Sequence, residues 1–415
     1  MVMRIETNKR KNILIFMLLF LASMNFYAKF FYFAFAAFFA LCLTREKITV
    51  NLAALLYLVL AALMAVYNFD EGIKSMLRCL APACLYIVGS NIALGTSQSR
   101  DGSICYDAEY ANKTGLAALV IIATGSFTHY ILNFILSAGQ DLSRRNTIDI
   151  WSKDIMAATG QATLACLMLG LSVAMVFLPK KKIFRYIGIV CVAGVLAYDL
   201  VLAGRTLLAI LGILFVLAII YVLKISDGAS ERVRTLLVIA LTLLVIVVIY
   251  NANVGGIRDA VLDSNLFKRF DGGKDLLSDN SSRTEAKLNY LRNMLKYPMG
   301  GLHMRNQYGY AHDLLLDGYD EYGIFGLLML LAVLASGVRS LYRLMIHTDY
   351  AKETKLAFLC VNCAVWLVFY VEPILPGMQW LFACYALING IMDAMNVTDF
   401  RAMRNNGVTN ESTSD

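Results

Sequence analysis

ILIFMLLFLASMNFYAKFFYFAFAAFFALCL, residues 13–43, reads either as one long membrane helix or as two short ones folded back at Asn25–Lys29. The choice decides the orientation of everything downstream. A span needs about 20 mostly apolar residues, and cytoplasmic loops are enriched in Lys and Arg. With the hairpin and a cytoplasmic N-terminus, twenty-one basic residues fall inside, among them Lys9–Lys11, Lys180–Lys182, Arg232 and Arg234. The short outer loops then hold only Lys29, Lys74, Arg144, Arg145, Lys153 and Arg205. A single span would turn the basic N-terminal cluster outward. The hairpin is therefore the expectation.

The composition agrees with a membrane protein. Of 415 residues, 59% are hydrophobic and 16% charged, with a mean hydropathy of +0.62. Soluble domains carry about 25% charged and 45–50% apolar residues. Twelve candidate spans follow, at 13–27, 29–43, 50–67, 73–94, 114–138, 155–178, 183–203, 206–225, 235–251, 323–346, 355–372 and 378–395. The expected fold is all-α, a polytopic bundle of about twelve membrane helices with one large outer helical loop. The divisions are nine spans over 1–251, the loop over 252–322, three spans over 323–395 and a cytoplasmic tail over 396–415. The basic N-terminus followed by ILIFMLLFLA resembles a signal peptide, but ASM is a poor cleavage site and more spans follow at once. It reads as an uncleaved first span. The net charge of +7 is a topology signal and does not imply nucleic acid.

Eight of the nine Cys lie in or at the ends of apolar runs, which argues against a disulfide framework. Cys105 lies in a loop. CVNC at 360–363 has redox spacing but sits inside a span, where small apolar packing is the expected role.

A polar segment of this size between spans is far beyond ordinary connections, and such loops carry function or are disordered. In RTEAKLNYLRNMLKYP, Leu288, Leu291 and Leu295 share a face, with a cap at Ser281 or Ser282 and Pro298 as the stop. A turn at PMGG follows, then an acidic helix. On that helix Asp313, Asp317 and Glu321 recur at i, i+4 and i+8 with Asp320 beside them, and His312 shares an adjoining face with Tyr319. Such carboxylates repel unless neutralised. Their spacing fits no dedicated metal loop, so pairing with the loop's Lys and Arg is expected.

Ionisable groups at membrane depth are functional candidates. Arg205 in DLVLAGRTLLAI is either a snorkelling side chain paired with Asp199 or an anion clamp. Arg78 inside the fourth span either pairs structurally or binds a ligand. His129 reads as a hydrogen-bonded interior residue. Arg283 opposes the helix dipole, a mild hint of function. His312 is a candidate general base.

Three blocks in order resemble the O-antigen ligase and polymerase superfamily. GRTLLA at 204–209 is similar to its SRT/SRG signature. SSRTEAKLNYLRNMLKYPMGGL at 281–302 is similar to its outer-loop pattern of Arg, amphipathic helix, Pro and Gly. AHDLLLDGYDEYGIFGLL at 311–328 is similar to its HNxxLxxxxExGxxGLL block. The resemblance covers about 45 residues of the chain, the rest matching only in hydropathy. It implies an inverting, metal-independent glycosyltransferase of the bacterial inner membrane, with its active site on the outer face and no cofactor. The implied donor is a glycan on undecaprenyl diphosphate and the acceptor a second glycan. Arg205 and Arg283 would bind the diphosphate and His312 would activate the acceptor hydroxyl. Arg78, Asp313, Tyr319, Asp317 and Glu321 are the expected substrate-binding residues. A flippase and a chain-length regulator are the implied partners.

Asp313 replaces the Asn common after the family's His. A carboxylate there is expected to raise the His312 pKa, and the departure favours a polymerase over a ligase. A lipid-linked oligosaccharide flippase is the non-enzyme alternative, but two pseudo-symmetric halves would be expected of one. The blocks of polytopic peptidoglycan glycosyltransferases are not visible, and a scaffold would have no need of Arg205 and His312.

Overall fold

The structure, a computed structural model, describes the backbone of residues 2–411 apart from 46, 95, 99–103, 141–144, 179–180, 226–227 and 272–274. It is 82% helix and 2% strand. The first nine helices are α1 (Val2–Ser23), α2 (Phe30–Thr44), α3 (Leu52–Tyr67), α4 (Ile73–Ile92), α5 (Ala108–Ser137), α6 (Ala158–Phe177), α7 (Lys182–Leu202), α8 (Thr206–Ile225) and α9 (Ala229–Asn251). Four helices follow, three of them short: α10 (Ile257–Leu262), α11 (Asn265–Asp271), the longer α12 (Asp275–Asn293) and α13 (Leu302–Tyr308). The chain ends with α14 (Leu314–Ile346), α15 (Lys352–Val371), the single turn α16 (Ile374–Gly377) and α17 (Gln379–Glu411). Two small antiparallel hairpins pair β1 (Thr96–Gln98) with β2 (Ile104–Tyr106) and β3 (Asn146–Ile148) with β4 (Ile155–Ala157).

Among the described residues eight helices, α4 to α8, α14, α15 and α17, are long and apolar enough to cross a membrane. The apolar parts of α1, α2 and α3 are shorter. Residues 13–43 do form two packed helices rather than one. The chain reverses where Asn25, Tyr27 and Ala28 take left-handed backbone angles. Trp151 holds the tip, its ring 4.8 Å from Phe26 and its indole N–H donating to the Met24 carbonyl at 3.3 Å.

The loop helix starts earlier than its leucine pattern suggests. α12 begins at Asp275, so Ser281 and Ser282 lie inside it, and it ends at Asn293 before Pro298 is reached. His129 is an interior residue as expected, 1% exposed and 2.7 Å from Asp149. The eight described cysteines, Cys360 and Cys363 included, are free thiols; the Cys105 side chain lies outside the described residues.

Lipid provides no partners for polar groups, so helices in it associate through small residues and internal hydrogen bonds. Both devices meet on α17, the most buried of the eight long helices. A Cβ on Gly390 would lie 2.2 Å from the Tyr86 carbonyl of α4, and one on Gly89 would lie 2.3 Å from the Leu387 carbonyl of α17. The two backbones therefore touch. Asp393 accepts hydrogen bonds from Tyr86 of α4 and Ser340 of α14, while Asn51, capping α3, donates to Tyr86 at 2.9 Å. Tyr57 of α3 accepts from Asn389 at 2.8 Å.

Gly390→Leu should lower the unfolding temperature of the detergent-solubilised protein, since overpacking costs on the order of 1–3 kcal/mol. Gly194→Leu on α7, whose added carbon meets nothing within 4 Å, should not. Equal loss in both would contradict backbone contact as the reason for glycine.

Candidate functional site

The segment after α9 is tied down at several places, among them the junction with α14. The PMGG turn lies against the acidic stretch: Gly301 N–H donates to the Asp320 carbonyl at 2.7 Å and Ile324 N–H to the Pro298 carbonyl at 2.8 Å. α14 is broken at that point, with Gly323 at φ +66° and its missing Cβ 2.9 Å from the Pro298 carbonyl. Gly300, also at positive φ, leaves no room for a side chain against the Tyr319 carbonyl. Residues 314–322 thus form a separate first portion of α14, and the apolar portion starts after the break.

The ionisable residues around this junction go to different partners. Asp313 Oδ1 caps α14, accepting from Leu315 and Leu316 N–H, and its Oδ2 lies 3.2 Å from Lys287 Nζ. Lys287 also donates to the Tyr370 carbonyl at 2.6 Å, docking α12 on the end of α15. Asp320 is paired with Arg305 (Nε to Oδ2 2.7 Å) and accepts from the Tyr290 hydroxyl at 3.3 Å. The expected pairing of the acidic residues with the loop's own cations holds for these two.

Two of the expected substrate contacts belong to the packing. Tyr319 is fully buried and donates to the Tyr297 carbonyl at 2.5 Å, so it fastens the turn. Asp317 is 1% exposed, and its carboxyl faces Tyr310 without a closed hydrogen bond between them. Asp313 is occupied as a cap. These three line neither of the cavities described below. The single helical face proposed for them fails because His312 and Asp313 precede the first helical residue, His312 at φ +50°.

Asp313 does not raise the His312 pKa. Burial, then the charges of Arg283 and Lys287, push it down to about 4. The carboxylate is already engaged by the helix N-terminus and Lys287, which leaves the cations to dominate the field at the imidazole.

Two cavities open at the end of the bundle where α3, α7 and α15 finish and α4, α6, α8 and α17 begin. The first, about 710 Å³, gathers Arg145, Arg205 and Arg283 from three separate segments, with Thr159, Asp199 and Tyr370. Its other wall is apolar, from Leu207, Ile210, Ile213 and Leu367. The first turns of α6 and α8 also face it, and helix N-termini favour anions. Asp199 is 2% exposed, with Oδ1 against Gly204 and no hydrogen-bond partner for Oδ2 among the described residues.

The second cavity, about 700 Å³, contains Arg78 and Glu321 together with Glu71, Arg305 and Asp320. His312 lines neither cavity, and its place relative to them is given by its neighbours. The Arg305 guanidinium lies 5.0 Å from the Tyr310 ring centre, that ring is 4.6 Å edge-on from His312, and His312 feels Arg283.

Sequence reasoning missed Arg145, Lys287, Arg305 and Glu372. Arg145 was visible only as one more outer-loop charge. Glu372 ends α15, 2% exposed; burial pushes its carboxyl up to about 7 while Arg283 and Arg145 pull it down. It supplies counter-charge to the arginines. Among the described residues no three His, Cys, Asp or Glu are grouped to hold a metal ion. Comparison of the chain with protein-family models and with curated proteins finds no match.

Gly323→Ala should speed proteolysis within 252–313, because a side chain at this positive φ costs about 1–3 kcal/mol and collides with the turn that anchors the segment. Unchanged cleavage kinetics would show that the break does not hold the segment in place.

Proposed function

We propose that the chain is a glycosyltransferase that polymerises oligosaccharide repeat units carried on undecaprenyl diphosphate. The observation that carries this reading is the convergence of Arg145, Arg205 and Arg283 on one cavity whose lining also has Leu207, Ile210, Ile213 and Leu367. A lipid diphosphate has that combination of needs. Its anionic head suits guanidinium groups and helix N-termini, and its isoprenoid tail must stay in hydrocarbon. In this reading the chain has twelve spans with both ends in the cytoplasm. The segment 252–322 faces outward from a bacterial inner membrane.

The reaction is a single displacement with inversion. The acceptor hydroxyl oxygen bonds to the donor's anomeric carbon while the bond from that carbon to the diphosphate oxygen breaks. The electron pair leaves on the diphosphate, whose growing charge Arg205, Arg283 and Arg145 stabilise. The hydroxyl proton passes to His312. A pKa near 4 keeps the imidazole neutral and ready to accept, though it makes a weak base in the empty enzyme. A bound diphosphate offsets the Arg283 charge, so the base strengthens when the donor is in place. Transfer to a lipid A core is the second reading. The Asp after His312 favours the polymerase.

Purified protein with a lipid-linked repeat, resolved by chain length on gels, tests the assignment. Arg205→Ala and Arg283→Ala should abolish polymer, with Lys a poor substitute because it lacks the bidentate fork. His312→Ala should lose about 10²- to 10⁴-fold, while Asp313→Asn, which still caps the helix, should retain activity. Full polymer from Arg205→Ala or His312→Ala would sink these roles.

Protonation of His312 also predicts a pH signature. Its pKa is depressed from 6.5 to about 4 in the empty site, so the neutral form is lost only as pH falls towards 4. The acid limb of kcat/KM, which reports free enzyme, should therefore lie below that of kcat, which reports the complex. Limbs in the reverse order would rule out coupling between donor charge and base.

A further inference from the structure

We infer that the second cavity is the acceptor-sugar site, and that it selects an uncharged or basic sugar at the end of the acceptor glycan. This rests on the glycosyltransferase reading and adds to it the location and charge class of the second substrate.

The walls of this cavity differ in kind from those of the arginine cavity. Two guanidinium groups, Arg78 and Arg305, face three carboxylates, Glu71, Asp320 and Glu321. Arg305 is already neutralised by Asp320. An anionic head would meet net negative charge here, whereas the other cavity offers three arginines. Nor does an apolar ligand fit, because it would strand these charges without partners.

A sugar presents hydroxyls around its rim and a flat C–H face, and this lining answers both. Glu71, Arg78 and Glu321 supply acceptors and donors at the rim, with Glu71 held by Ser75 at 2.8 Å. Tyr67, 42% exposed, offers a ring for the flat face, and its position is set by edge contact with Tyr322 at 5.8 Å. Asn25 Oδ1, buried without a hydrogen-bond partner among the described residues, belongs to an Asn on the same wall.

Position completes the case. From Arg305 the contacts run through Tyr310 to His312, which also feels the charge of Arg283 in the donor cavity. A sugar in the second cavity would therefore sit on the Arg305 side of Tyr310, with His312 in edge contact with that ring.

Equilibrium binding to the detergent-solubilised full chain tests this with two probes. One is the repeat-unit oligosaccharide released by mild acid from the lipid-linked pool of producing cells. The other is inorganic pyrophosphate. Glu321→Gln and Tyr67→Ala should each weaken oligosaccharide binding about tenfold or more, as expected for one charge-assisted hydrogen bond or stacking surface. Both should leave pyrophosphate binding as in wild type. Arg205→Ala should do the reverse. Ser75→Trp, which narrows the cavity without removing a charge, should also exclude the oligosaccharide, and thermal unfolding identifies any variant that has lost its fold.

Oligosaccharide binding that survives Glu321→Gln and Ser75→Trp would overturn the inference, as would its absence from wild type while pyrophosphate still binds. In those cases the transferase reading stands. Loss of pyrophosphate binding and of polymer synthesis in wild type would instead overturn the underlying function.

Discussion

Two hydrogen bonds, from Gly301 to the Asp320 carbonyl and from Ile324 to the Pro298 carbonyl, stitch the PMGG turn to the start of α14. They form where α14 is broken at Gly323, so main-chain groups that an unbroken helix would use internally become available to the turn. Arg305, Tyr310 and His312 all lie in the stretch between the two halves of this stitch. Their spacing from Arg283 therefore follows from backbone geometry, and Lys287 secures the opposite flank on Tyr370. A long polar segment thereby acquires the fixed shape that neighbouring binding cavities need.

The two cavities use one set of helix ends for opposite electrostatics. Three arginines and two helix N-termini make the first attractive to anions, and its aliphatic wall suits a lipid tail. Carboxylates outnumber guanidinium groups in the second. His312 is held neutral by burial and by the same Arg283 that would meet a diphosphate. In the proposed reaction, donor charge and base strength would be linked through that one residue.

Hydropathy and basic-residue bias made the helical class and the hairpin at Asn25 legible, because lipid imposes length and charge rules on local sequence. Apolar character resumes after 322 at the glycine that breaks α14. Arg205 and Arg283 stood out as charges against local preference, and they do share a cavity. Arg145, Lys287, Arg305 and Glu372 did not stand out, since their meaning lies in contacts between distant segments. Asp313 and Tyr319, expected as substrate contacts, are engaged as a helix cap and in a buried hydrogen bond, and periodicity cannot tell such groups from ones facing a ligand. His312 was placed on a helix it only precedes.

The backbone contact of Gly89 with Gly390 bears on how the protein is made. α4 emerges from the ribosome about 300 residues before the helix that fills its groove. During that interval Gly89 and the Tyr86 hydroxyl face a gap that lipid chains fill poorly, and Asp393, the partner of that hydroxyl, has yet to be synthesised. Among the described residues six of the eight long apolar helices, α5 to α8, α14 and α15, are made while that groove is vacant. The interior of the bundle is then completed only when α17 is made.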